Sequence, residues 1–251
     1  MKVAILIYPG MTALDAVGPY EVFNGAQDME LQFVWKEVGP ILTDSGVLAI
    51  SATHTITEVT SSDILLVPGS TADTPTLMAD SEIIRWVQEV HKRTQFTTSV
   101  CSGALILAAA GVLEGLPATT HWAGMSALKR FGADPRPGER IVHSGKVITA
   151  AGVSAGIDMA LYLLAELRGE QEARVQQLLL EYDPQPPFNS GHMSKADETI
   201  SRQAQARMRE RSKNPRNPIS LPKVLLRQWA KWVRARARCG VATQLKLFSR
   251  N

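Results

Sequence analysis

Cysteine is scarce in this 251-residue chain: only Cys101 and Cys239 occur, in compositionally different regions. A disulfide framework is therefore not expected, and a reducing compartment, the cytoplasm, is the default location. There is no Cys-x-x-Cys or His-Glu-x-x-His, and the five histidines are scattered, so no metal site is expected. No Gly-x-Gly-x-x-Gly follows the first apolar segment, which leaves a nucleotide cofactor unsupported. The amino-terminal MKVAILIYPGM is too short to span a bilayer and lacks a small-residue cleavage site. It meets a turn at Pro9 and Gly10 and reads as a buried first strand.

The residues that are present, 45% hydrophobic and 20% charged, have the proportions of a folded, water-soluble protein. The length suits one sizeable α/β catalytic body with an appendage. Charge marks where the appendage begins. Residues 1–194 carry 12 Lys/Arg against 21 Asp/Glu, whereas residues 195–251 carry 15 against 3. Two segments are expected: a mildly acidic catalytic domain over 1–194 and a basic extension over 195–251, helical or partly disordered, that suits solvent or an anionic surface. Within the extension, residues 223–238 place Leu225, Trp229 and Trp232 at i, i+4 and i+7 among six Lys/Arg, a basic amphipathic pattern.

Along the body, strand and helix patterns alternate, which favours a mostly parallel sheet. Strands are expected at residues 2–8, 32–38, 47–53, 63–67, up to Val100, and 118–120, with a hairpin around Ser144 and Gly145. Helices are expected at residues 13–25, 81–93, 103–110, 122–131, 155–167 and 170–182. After Tyr182, prolines at 184, 186 and 187 end any helix and require a loop or an extended arm.

Cys101 falls where the strand ending at Val100 turns into a helix through Ser102, Gly103 and Ala104. Such a turn exposes a side chain above the sheet, and the helix N-terminus that follows favours a thiolate. The alternative is a buried structural cysteine. Asp15 lies just beyond the first strand. Loops after the strands of a parallel sheet converge on one crevice, so Asp15 and Cys101 can meet although 86 positions separate them. A carboxyl group there can hold and return a proton, or it can complement its own helix N-terminus, with Glu21 an exposed helix charge. Gly69 and Ser70, in Pro68-Gly69-Ser70-Thr71, close a central strand and can aim N–H groups at developing negative charge, or form a simple turn. His121, in Thr119-Thr120-His121-Trp122, is either a base or a structural histidine.

Taken together, LDAVGPYEVF, VPGS, SVCSGA, ATTHWAG, TAAGVSAGID and EYDPQPPFNSG resemble the isonitrile hydratase branch of the PfpI-type proteins, within the class I glutamine-amidotransferase-like superfamily. The resemblance spans essentially residues 1–191. It implies a flavodoxin-like sandwich, a homodimer, and a cysteine at a strained elbow, Cys101, assisted by the aspartate of the LD-x-x-GP motif, Asp15. It also implies a cofactor-free reaction in which an organic isocyanide is hydrated to an N-substituted formamide through a cysteine thioimidate. Ser102 and the Gly69 and Ser70 N–H groups would then stabilise the moving charge, and Trp122 would wall an apolar substrate pocket, with core packing as its other role. PfpI-type peptidases often carry histidine directly after the cysteine; Ser102 departs from that pattern and keeps the hydroxyl of the threonine usual in the hydratases. Ser70 and Ser99 stand where relatives commonly have glycine. Two other activities share the resemblance: a ligand-sensing transcription regulator and a glyoxalase or deglycase acting on reactive carbonyls. The 57-residue extension is shorter than the paired helix-turn-helix units of such regulators, so no specific nucleic-acid partner is expected.

Overall fold

The apolar runs after Met1 and after Asp63 form the centre of the sheet. In the computed structural model, which describes residues 1–213, strand β1 (Lys2–Leu6) leads into helix α1 (Ala13–Asn24) and strand β2 (Glu30–Trp35). Strands β3 (Gly39–Leu42), β4 (Ala49–Ala52), β5 (His54–Thr55) and β6 (Ile64–Val67) follow, then helices α2 (Thr74–Ala79) and α3 (Ser81–Arg93). Strand β7 (Phe96–Val100) runs into α4 (Gly103–Ala109). Beyond them come β8 (Pro117–Ala118), a 3-10 turn (Trp122–Gly124), α5 (Met125–Arg130), β9 (Asp134–Pro135) and the hairpin β10 (Ile141–Ser144) and β11 (Val147–Ala150). Helices α6 (Ala155–Arg168), α7 (Glu170–Leu179) and α8 (Glu198–Arg211) complete the described chain.

Seven strands pair in the order β10-β11-β7-β6-β1-β2-β5, parallel throughout except at β10. Every residue of β6 and β11 is buried, as a parallel strand covered on both faces requires. Val100 meets Gly156 of α6, whereas Thr97, of opposite parity on β7, bonds His91 and Thr94 beside α3, so helices cover both faces. This is the flavodoxin-like α/β sandwich expected from the sequence. β1 connects outward to β2 while β6 lies on its other side. The order therefore reverses between β1 and β6, the place where such sheets open a crevice at their strand C-termini.

Several expected elements change character. Residues 49–52 form a strand, but it pairs with the unanticipated β3 in a separate antiparallel hairpin outside the central sheet. Gly46, at φ 71°, permits that turn. The strand expected at 118–120 shortens to Pro117–Ala118 and pairs with β9. Thr119 and Thr120 instead bond outside any ladder, with the Thr119 N–H donating to Thr149 Oγ1 at 2.9 Å. α2 is a further element the periodicity did not reveal, since six residues give too little pattern. α7 ends at Leu179 rather than Tyr182 because Glu181 adopts φ 49° and the Tyr182 N–H returns to the Gln177 carbonyl, a left-handed helix cap. In the extension, residues 198–211 are helical, capped by the Asp197 side chain on the Ile200 N–H, with no buried residue. The amphipathic pattern at 223–238 lies outside the described residues.

Candidate active site

The loops after β1, β6, β7 and β11 deliver the polar groups of the crevice. Cys101 follows β7 at φ 57°, a left-handed conformation uncommon for a residue with a β-carbon. Tertiary bonds hold it there: its N–H lies 2.7 Å from the Ala151 carbonyl after β11, and its own carbonyl accepts from Thr120 Oγ1 at 2.7 Å. The side chain is thus held at a strand-to-helix elbow, 7% exposed.

Asp15, in the first turn of α1, is fully buried. Its carboxyl does not cap its own helix. Oδ2 accepts the Gly69 N–H at 2.9 Å, Oδ1 is buried without an N–H or O–H donor, and the Cys101 thiol lies in side-chain contact with the group. Burial pushes the Asp15 carboxyl up to about 7, against the opposing pull of the Gly69 N–H and of Cys101. Burial and then the Asp15 charge push the Cys101 thiol well above its usual range, and the Ser102 N–H and hydroxyl pull it back only in part. Desolvation and the neighbouring carboxyl therefore act against the helix N-terminus, which by itself would favour the thiolate. Two acidic groups in contact share their protons as a pair.

Ser102 opens α4 without capping it. Its Oγ crosses instead to the β6–α2 loop, accepting the Ser70 N–H at 2.9 Å, lying 2.9 Å from the Ser70 carbonyl and 2.7 Å from Thr74 Oγ1. Gly69 fits only because it has no side chain: a β-carbon there would stand 2.5 Å from the Ser102 nitrogen and 2.6 Å from its Oγ. Both N–H groups read from the sequence as oxyanion donors are thus engaged, Gly69 with Asp15 and Ser70 with Ser102. In this state they position the acid and the hydroxyl rather than facing an empty subsite. Ser70 and Ser99 both avoid positive φ, so a side chain at either position is accommodated. Ser70 Oγ donates to the Gly10 carbonyl at 2.6 Å, whereas Ser99 Oγ is buried with no partner.

His121 and Trp122 border the elbow without bonding to it. His121 turns Nδ1 toward its own backbone at Ala123, 3.3 Å away; its ring lies beside Gly152, and burial lowers its basicity. The Trp122 ring, half-buried, lies 4.9 Å from that of His121 and tilted 39° to it. Glu21 is exposed, its backbone carbonyl held by Gln176 at 3.3 Å, away from this cluster. Three site residues escaped sequence reading. Fully buried Tyr8 donates to the Pro68 carbonyl at 3.0 Å and feels the charges of Asp15 and Cys101; Thr74 touches Ser102; Thr120 holds the elbow. Thr120 lay inside a recognised motif, whereas Tyr8 read as a strand end and Thr74 sits in the unrecognised α2. Among the described residues, no group of three or more His, Cys, Asp or Glu could hold a metal ion.

The DJ-1/PfpI family profile matches residues 1–166, which contain every residue of this cluster. The chain belongs to the DJ-1/PfpI family. It is 37% identical over 207 residues to an isonitrile hydratase of Pseudomonas putida, covering 82% of this chain and 90% of that one. A crystal structure of a THiJ/PfpI family protein from Pseudomonas syringae superposes with a TM-score of 0.81 at 38% identity, over 89% and 90% of the two chains. The HTH-type transcriptional regulator CdhR of Pseudomonas aeruginosa is 25% identical over 174 residues, 67% of this chain but 51% of the regulator. No helix among the described residues is long and apolar enough to cross a membrane.

Proposed function

We propose that this protein is an isonitrile hydratase, with Cys101 as nucleophile and Asp15 as its proton carrier. The observation that carries the reading is the fully buried Asp15 carboxyl, pinned by the Gly69 N–H against the thiol of a cysteine in a left-handed elbow. The similarity to the P. putida enzyme supplies the reaction class. An isocyanide, R–NC, accepts a nucleophile and a proton at the same terminal carbon. The Cys101 sulfur attacks that carbon as its proton passes to Asp15, and Asp15 delivers the proton to the carbon, giving the thioimidate R–N=CH–S. A group titrating near neutrality suits both transfers. Asp15, again a carboxylate, then takes a proton from water as the oxygen adds. Protonation of nitrogen and cleavage of the C–S bond release R–NH–CHO and restore the thiol. Ser102, beside the sulfur, supports the charge that appears there, and Trp122 walls the site of the R group.

The assay is formamide production from cyclohexyl isocyanide by the purified protein, with methylglyoxal as the comparison substrate. Turnover of the first supports the hydratase; turnover of methylglyoxal alone overturns it in favour of a carbonyl-directed enzyme. The likeness to CdhR motivates a regulator as the second reading. Sequence-selective, salt-dependent DNA binding by the full chain is its test.

A further inference from the structure

Ser102 gives up the role its position offers. A serine at a helix N-cap ordinarily accepts an N–H of its own first turn, yet here Oγ reaches the β6–α2 loop and finds three polar atoms: the Ser70 N–H, the Ser70 carbonyl and Thr74 Oγ1. It has one proton to give. If that proton goes to the Ser70 carbonyl at 2.9 Å, none remains for the Cys101 sulfur or for a bound substrate. If it leaves, a partly buried carbonyl loses its donor unless another group replaces it, and an orphaned acceptor is costly. Thr74, 3% exposed, is placed to replace it: its hydroxyl lies 2.7 Å from Ser102 Oγ and 3.4 Å from that same Ser70 carbonyl. Tyr8, whose own proton is committed to the Pro68 carbonyl, is in side-chain hydrogen-bond contact with Thr74 and offers its oxygen as another acceptor for the Thr74 proton, so the Thr74 hydroxyl chooses among Tyr8, Ser102 and the Ser70 carbonyl.

We propose that Thr74 is a positioning residue that takes over the Ser70 carbonyl when the Ser102 hydroxyl turns toward the Cys101 sulfur and the bound substrate. The proposal deepens the hydratase reading and rests on it for its kinetic arm alone. Two hydroxyls thus alternate on one acceptor, and the Ser70 carbonyl keeps a donor when the Ser102 proton leaves it. Thr74 touches neither the sulfur nor the carboxyl and acts only through Ser102.

The test uses the full chain. Thr74→Val keeps the shape and removes the hydroxyl, so kcat for cyclohexyl isocyanide should fall about tenfold with KM changed less than about twofold, the effect of one acceptor orphaned only during turnover. Thr74→Ser should restore kcat. In a Ser102→Ala background, Thr74→Val should have no further effect. A substrate-independent arm follows Cys101 alkylation by iodoacetamide against pH: the midpoint should move up in Thr74→Val and stay in place in Thr74→Ser, whether or not the protein hydrates isocyanides. If Thr74→Val does not fold, as judged by thermal melting, Thr74→Ala makes the same comparison. Unchanged kcat and alkylation midpoint in the valine or alanine variant, or losses that multiply with Ser102→Ala, would overturn the proposal. If the wild type produces no formamide while the alkylation midpoint moves as stated, the hydratase reading fails and the Thr74 assignment stands.

Discussion

Asp15→Asn separates the chemical cost of the site from its structural cost. Burial holds the native carboxyl at about 7, against an ordinary value of 3.8. The folded state therefore binds this proton more tightly than the unfolded chain does. The resulting stability is fully present below about pH 4 and is lost as the pH rises through about 7. At 1.36 kcal/mol per pH unit the whole loss is on the order of 4 kcal/mol, with about 2–3 kcal/mol of it falling between pH 5 and pH 8. Asparagine cannot ionise, so the variant lacks this slope. Urea unfolding of both proteins at pH 5 and pH 8 should show the wild type losing about 2–3 kcal/mol more than the variant between those values. Any constant penalty from fitting an amide beside the Gly69 N–H cancels in that comparison. Hydration should fall by roughly 10²–10⁴-fold, the scale of lost acid/base catalysis. Cys101 should meanwhile alkylate faster at neutral pH, because the carboxyl that opposes its ionisation is gone. Parallel stability profiles for the two proteins, or undiminished kcat/KM in the variant, would refute the assignment of a buried, proton-carrying Asp15.

Cys101→Ala should abolish formamide production while circular dichroism and melting show a retained fold, and in the wild type iodoacetamide should label Cys101 with protection by substrate. Gly69→Ala drives a β-carbon to within 2.5 Å of the Ser102 nitrogen, so it should cost about 3 kcal/mol of stability, read as a drop of roughly 10 °C in Tm, and remove activity along with it. Truncation after residue 194 should keep most of kcat/KM, and sedimentation should show a homodimer for both the truncated and the full chain; a truncated protein that does not fold would show that α8 belongs to the body.

The sequence by itself determined most of the central strands and the helices that cover them, but not β3 or α2. The short apolar run at residues 64–67, stopped by Pro68 and Gly69, pointed to a strand covered on both faces, and the periodic apolar positions of residues 81–93 specified a helix with the bounds found. It also determined the elbow, because a strand, a cysteine and a run of small residues form a local pattern. That Asp15 could approach Cys101 was allowed by the convergence of loops in a parallel sheet, but the terms of their meeting were not legible there. Only the tertiary structure decided that Asp15 bonds Gly69 rather than its own helix, that the Ser70 N–H is spent on Ser102, and that Tyr8 and Thr74 stand behind the site. It also set the forces on the thiol, where burial and the Asp15 carboxyl oppose the helix N-terminus. The physical reason is one of range: periodicity and turn chemistry act over a few neighbouring residues, whereas desolvation and hydrogen-bond partnership depend on atoms brought together from four separate loops.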